Sequence, residues 1–234
     1  MKRTVLFALT LSLITLGCSK NCQKQGVLKN EKRVVNVKRE GTLSALILPT
    51  EKYLITDLTL KGNLNGVDFK FIREMSGRNY RESITNGKLT RLDLIDVNII
   101  ESGCYFFSPY TKRQEYCYTE ANTIPDFAFQ NLSNLRSIIL PQNIVSIGTA
   151  AFEKCKGLIS VKIPSSVNSI GSFAFRTCEG LKQIHCKSNI PPKAESYIFS
   201  NINKAHCKLY VPKGSSANYK SAKEWKGFIT IIEE

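Results

Sequence analysis

Between Leu135 and Gly180 the chain writes one phrase twice. Leu135-Arg-Ser-Ile138-Ile-Leu140-Pro141 leads to Ile147-Gly148, Ala151-Phe152 and Cys155. Leu158-Ile-Ser-Val161-Lys-Ile163-Pro164 leads to Ile170-Gly171, Ala174-Phe175 and Cys178, each 23 positions after its counterpart. A fixed period in the twenties is one supersecondary unit used repeatedly. A single unit cannot bury its own apolar face, so neighbouring units must stack into a solenoid.

The phrase can be read position by position. Ile138 and Leu140 are two apart, so on a strand they share the inward face while Ile139 points out. Pro141 and Pro164 follow the strands, where a residue without an N–H ends the ladder at little cost. Gly148 and Gly171 are expected at turns of positive φ. The Ala-Phe pairs and the cysteines fill the far side of each coil.

The same ruler extends in both directions. Forward, Leu181, Ile184 and Cys186 fall in register, and Cys207 and Leu209 are expected on the next rung. Backward, Ile124, Ala128, Phe129 and Leu132 match Ile147, Ala151, Phe152 and Cys155. Two steps before Leu135, Leu89 opens Leu89-Thr-Arg-Leu92-Asp-Leu94; the rung between carries only Lys112, Glu115 and Cys117. An earlier copy, Ile55-Thr-Asp-Leu58-Thr-Leu60, precedes Leu89 by 34.

These residues resemble the BspA-like leucine-rich repeats of bacterial surface proteins, with a specific match over 123–186 and a looser one over 50–110. The stretch 64–75 resembles a helical insert near the start of such proteins. Leu209 to Ser215, with Tyr219 and Trp225, is similar to their usual close. The resemblance implies a secreted binding protein, often linked to adhesion, and names no ligand. The fold class read here is β-rich α/β: a leucine-rich-repeat solenoid with a parallel strand ladder, a short N-terminal helical insert and a C-terminal cap. The division is 1–17 (lipoprotein signal peptide), 18–30 (tether), 31–110 (N-terminal cap and irregular first repeats), 111–207 (repeats) and 208–234 (C-terminal cap).

Coarse expectations follow along the chain. Val34 to Val37 reads as a first edge strand, and Gly41 to Leu48 as a short helix or a strand. Phe69, Ile72 and Met75 recur at helical spacing, with Gly77 as the stop. Ser215 caps a helix to about Ala222, and Ile229 to Ile232 forms a last strand after Trp225 and Phe228, which should cover the rung of Cys207 and Leu209.

Lys2 and Arg3, an apolar run from Val5 to Leu16, and Leu16-Gly17-Cys18 make a lipoprotein-type targeting segment. The run is shorter than the ~20 residues of a membrane span, and Cys18 is read as the lipidated N-terminus. The expected location is the cell envelope, as an outer-membrane lipoprotein; which way it faces is left open. The formal charge is +14, reduced to +12 by removal of Lys2 and Arg3. Lys20, Lys24, Lys29, Lys32, Arg33, Lys38 and Arg39 suit a tether lying on anionic headgroups. A pI near 9.5 invites a nucleic-acid reading, but an exported lipoprotein without a recognition module argues against it.

With Cys18 lipidated, seven cysteines remain of the eight, so one at least stays unpaired within a monomer. Cys155 and Cys178 occupy one repeat slot, where the resemblance implies small buried apolar residues. Adjacent rungs at ~4.8 Å would admit a bridge on distance alone; the slot's apolar character favours free thiols. Cys186 and Cys207 would lie roughly 8 Å apart diagonally, beyond bridging reach. Cys22, Cys104 and Cys117 stay open.

His185-Cys186 and His206-Cys207 invite a zinc reading. Neighbours on a strand face opposite ways, so the four cannot converge on a tetrahedral metal. A Ser-His-acid triad fails on distance, with Asp93 and His185 four rungs or about 19 Å apart. Phosphate loops and paired carboxylates do not stand out. The reading is no enzyme, no cofactor and no metal. What remains is a surface. One outward column is expected to hold Asp93, Tyr116, Ile139, Lys162, His185 and Lys208, and the next Arg91, Gln114, Ser137, Ser160, Gln183 and His206. Tyr116, Ile139, Lys162, His185, Lys208 and Gln183 are the candidate binding residues, suited to an acidic or host-derived protein partner. A glycan ligand ranks second, because that face offers one aromatic platform.

Overall fold

The computed structural model describes residues 31–102 and 119–234. Cys18, Cys22, Cys104, Gln114, Tyr116 and Cys117 lie outside the described residues, and with them the signal-peptide, tether and lipidation readings. The architecture is a parallel-strand solenoid. Three long strands come first: β1 (Glu31–Val37), β2 (Ile55–Leu64) and β3 (Arg91–Ile99). Shorter ones follow: β4 (Thr123–Ile124), β5 (Ser137–Ile139), β6 (Ser146–Ile147), β7 (Ser160–Ile163), β8 (Ser169–Ile170) and β9 (Gln183–Cys186). The series closes with β10 (Lys193–Ala194), β11 (Lys208–Val211) and β12 (Ile231–Glu233). An eight-stranded ladder runs β1-β2-β3-β5-β7-β9-β11-β12, and a four-stranded one runs β10-β8-β6-β4. The core lies between the two sheets.

The 23-residue period holds to the residue through the middle coils: Ser137 pairs with Ser160, Ile138 with Val161, and Ser146 with Ser169. The early offset of 34 is also observed, Leu58 pairing with Leu92. The rung between Asp93 and Ile139 is not: these two are direct partners, as are Arg91 and Ser137. The outward column therefore has no rung between Asp93 and Ile139. Ser102 and Thr119 are joined by an antiparallel bridge (Ser102 N to Thr119 O, 2.9 Å).

The register also slips past β9. Lys193 pairs with Ser169, an offset of 24, and Leu209 with Ile184, an offset of 25. One residue enters near Pro191-Pro192, and a second enters between Asn201 and Lys208. Two extra residues keep the in–out alternation but move every side chain to the next column. Lys208 thus lies beside Gln183, and Tyr210, not Lys208, faces His185. His206 and Cys207 precede the strand.

Gly148 and Gly171 do not adopt positive φ. They are needed for close approach: a Cβ on Gly148 would sit 2.4 Å from Asp126 Oδ1, and one on Gly171 2.7 Å from the Thr149 nitrogen. The left-handed positions fall instead on non-glycine residues, in two periodic rows: Phe127, Ala150, Phe173 and Tyr197, then Asn131, Lys154, Thr177 and Asn201.

Inside the coil, Phe129, Phe152, Phe175 and Phe199 form one buried column, with ring centroids 5.0, 5.1 and 5.7 Å apart and near-parallel planes. Stacked pairs contribute about 0.5–1.5 kcal/mol each beyond burial. Cys155 and Cys178 lie beside this column as buried free thiols, donating to the Phe129 and Phe152 carbonyls at 2.9 and 3.1 Å. Cys186 and Cys207 are likewise buried and free.

The stretch 41–48 resolves as a short helix, α1 (Leu43–Leu46), and the helical insert is α2 (Gly66–Met75). α2 opens on a capping box, in which the Asn65 side chain accepts from Val67 N (2.9 Å) and Asp68 accepts from Asn65 N (3.0 Å). Its stop is Ser76 followed by Gly77 at φ +104°. The C-terminal helix is α3 (Ser216–Ser221), after which Trp225 packs on Phe199 at 5.0 Å.

Candidate functional site

The ladder presents two outward columns. The first runs Asp57, Arg91, Ser137, Ser160, Gln183, Lys208; the second runs Asp93, Ile139, Lys162, His185, Tyr210. They exist because strand residues alternate: Val161, Ile163, Ile184, Cys186 and Leu209 are fully buried, and their neighbours face solvent. Of the six expected binding residues, Ile139, Lys162 and His185 share one column. Gln183 and Lys208 pair in the other, and Tyr116 lies outside the described residues. Asp93 and His185 are three rungs apart, not four, which is still far beyond proton-transfer reach.

Tyr210 is the ladder aromatic that a strict 23-residue count misses. Its ring stacks on His185 at 4.3 Å with planes 4° apart. The prolines at 191 and 192 were the signal that the count would slip. Glu234 fixes this pair from the adjoining edge: its carboxylate meets His185 Nδ1 at 3.1 Å and Lys187 Nζ. Hydrogen bonds from Lys187 and His185 hold the Glu234 carboxyl below its ordinary pKa.

The charge pattern runs along the sheet. At the N-terminal side carboxylates and cations compensate one another: Arg91 Nε lies 3.5 Å from Asp57, and Lys61 3.0 Å from Asp96. Lys162 and Lys208 are exposed and make no salt bridge among the described residues. Half-buried Ile139 precedes Lys162 in the second column and the His185–Tyr210 stack follows it, with Lys208 on the strand of Tyr210, so apolar and cationic groups are interleaved. The face can clamp a complementary surface; it brings together no nucleophile with a base. Among the described residues, no group of three His, Cys, Asp or Glu could hold a metal ion. His185 points outward while Cys186 is buried.

The second sheet carries a different surface. Thr123, Ser146, Ser169 and Lys193 form its outward column, flanked by Asp126, Thr149 and Glu195. Together they line a groove of about 300 Å³. Sequence reasoning passed over these positions because small hydroxyl residues in a turn read as filler.

A parallel ladder of short strands, coiled at 23 residues with an inward L-x-x-I-x-L face, defines a leucine-rich-repeat solenoid. Such solenoids typically serve as non-enzymatic scaffolds for protein interaction. The family model for the BspA type leucine rich repeat region matches residues 98–215 in six copies, half of the chain, and the chain belongs to that family. Repeats of this type are typical of surface or secreted bacterial proteins. The comparison with curated proteins found no match. Among the described residues no helix is long and apolar enough to cross a membrane.

Proposed function

We propose that this protein is a non-enzymatic cell-envelope lipoprotein, anchored through Cys18 in the outer membrane, that binds a protein partner through its ladder face. The observation that carries the reading is the outward row of Ile139, Lys162 and the His185–Tyr210 stack with Lys208 beside it, in which the two lysines make no salt bridge among the described residues. Exposed aromatic residues in a rigid sheet anchor interfaces, and the flanking cations steer an acidic partner and make association salt-sensitive. Gln183, between Ser160 and Lys208, supplies a hydrogen-bonding rim.

The test is a pull-down from host-matrix and bacterial-surface extracts with wild type beside Ile139→Ser/Tyr210→Ala and Lys162→Glu/Lys208→Glu. A partner retained by wild type should lose more than ~1 kcal/mol of affinity with the first variant, and the second should chiefly slow association. Equal capture by all three would remove the ladder face from the account. For the anchor, Cys18→Ser should move the protein from the membrane to the soluble fraction. A mature N-terminus elsewhere, by intact mass, would refute that part.

A further inference from the structure

The four-stranded sheet and the turn beside it make a second surface, whose chemistry is opposite to the ladder's. The groove is lined by the hydroxyls of Thr123, Ser146, Thr149 and Ser169. Ser169 Oγ donates to Ser146 Oγ at 3.0 Å, linking the two central hydroxyls. Glu120, Asp126 and Glu195 stand around it, against Lys193 alone. The sheet's four strands span three rungs, about 14 Å at ~4.8 Å each.

One or two residues further along each coil stands a row of left-handed residues: Phe127, Ala150, Phe173 and Tyr197, with φ between +52° and +63°. For bulky L-residues this backbone is strained, and glycine or asparagine would sit there at lower cost. Burial does not explain the aromatic choice, since Tyr197 stays 60% exposed. The Phe173 and Tyr197 rings are nonetheless ordered, stacked at 5.7 Å with planes 4° apart. The Arg176 guanidinium lies 4.5 Å from the Phe173 ring, and Arg176 is itself held by buried Glu153. Ser200 and Asn201 complete a shallow depression there of about 320 Å³.

We propose that this shoulder, the hydroxyl groove together with the Phe173–Tyr197 shelf, binds a neutral pyranose oligosaccharide. Aromatic faces carry negative quadrupole charge and attract the polarised C–H face of a sugar ring. Carboxylates and serine or threonine hydroxyls accept and donate to ring hydroxyls. The groove's acidic excess, in a chain of charge +14, disfavours sulfated, phosphorylated and uronic acid chains that the ladder face would attract. Its length suits a short oligosaccharide better than a single sugar. The inference stands apart from the ladder-face reading, because it concerns the other sheet.

The full-length protein would be screened on an array of neutral hexose and N-acetylhexosamine oligosaccharides, with sulfated and uronic acid oligosaccharides beside them. Affinity for the strongest neutral hit would then be measured by calorimetry for wild type, Tyr197→Ala and Asp126→Asn. Thermal melting would confirm that each variant folds; an Asn at 126 keeps an acceptor for the Thr149 amide, which now donates to Asp126 Oδ1 at 2.6 Å. The expected result is selective binding of a neutral oligosaccharide, weakened about ten-fold or more by either variant. Absence of any neutral hit would overturn the proposal. So would preference for the acidic glycans, or a neutral hit whose affinity survives both variants but falls with Ile139→Ser.

Discussion

The two ends of the phenylalanine column are closed by different chemistry, and backbone polarity is the reason. In the turn that carries the left-handed residues, alternate amides donate to the next coil: Phe127 N to Thr149 O, Phe129 N to Ala151 O, Asn131 N to Glu153 O, and likewise onward. The carbonyls of the first such turn therefore face a side where no earlier coil supplies donors. Arg73 of α2 supplies them. Its Nη1 donates to the carbonyls of Phe127 (3.0 Å), Ala128 (3.3 Å) and Gln130 (3.0 Å), while its Nη2 meets Glu82. Arg78 Nε adds the Asn131 carbonyl at 3.1 Å, and Phe69 covers Phe129 edge-on at 5.7 Å.

The opposite end has no row of bare carbonyls to satisfy, and its seal is almost wholly apolar. Trp225 and Phe228 meet Phe199 edge-to-face at 5.0 and 5.2 Å, and Tyr219 meets Trp225 at 5.3 Å. The polar tips are turned back to the chain: Trp225 Nε1 donates to Pro192 O (3.2 Å) and Tyr219 OH to Ser188 O (2.8 Å). Lys204 lies over Phe199 and Phe228 and donates to the Glu224 carbonyl at 3.1 Å; burial lowers its pKa. The direction of the backbone thus accounts for the fork of donors at the first end, while the seal at the other is mainly aromatic area.

The sharpest way to break this comparison is at the aromatic end. Trp225→Ala should cost about 3–5 kcal/mol, lowering Tm on the order of 10 °C for a chain of this size. An unchanged melting curve would place the seal elsewhere. At the other end, Arg73→Met keeps the apolar stem and removes the donors. Leaving buried carbonyls unpaired should cost about 1–3 kcal/mol. Arg73→Lys should recover little of that, since an ammonium cannot reproduce the fork; full rescue by lysine in urea titrations would mean that charge, not donor geometry, matters.

Between the ends, the thiols give a smaller and pH-dependent effect. Burial pushes the Cys155 thiol up to about 12, against ~8.5 in an unfolded chain. A folded-state pKa above the unfolded one means that the stability is fully present below about 8.5 and is lost as pH rises toward 12, because the unfolded chain ionises first. At pH 10 the loss from this group is at most about 2 kcal/mol. Cys155→Ala should therefore show a shallower fall in urea midpoint between pH 7 and 10 than wild type. Equal slopes would contradict the burial argument. Thiol alkylation should also wait for unfolding, and a Cys155–Cys178 crosslink in a non-reducing peptide map would refute free thiols.

Much of the fold was legible because the repeat makes packing local. Ile138, Val161 and Ile184 stand in register by counting alone, and Phe129, Phe152 and Phe175 follow the same ruler. Counting failed where chain length, not side-chain type, sets register: the single rung from Asp93 to Ile139, and the two residues added before Lys208. That slip exchanged Lys208 for Tyr210 beside His185. The glycine reading failed for another reason. Positive φ and close approach both select glycine, and only the fold shows that Gly148 and Gly171 serve the second. Arg73 was invisible as a cap because its partners are carbonyls some 55 positions away in sequence. The groove on the smaller sheet was hidden by the plainness of Thr123, Ser146 and Ser169.

Hydrogen exchange resolved by segment tests most directly whether the two seals act separately on a stack of nearest-neighbour coils. Wild type, Trp225→Ala and Arg73→Met would be compared under native conditions. In a solenoid each coil is stabilised by its neighbours, so local opening should begin at the damaged end. Trp225→Ala should lose protection over residues 195–211 while 123–139 stays protected, and Arg73→Met should show the reverse. Uniform loss of protection across 123–211 in both variants would contradict the account.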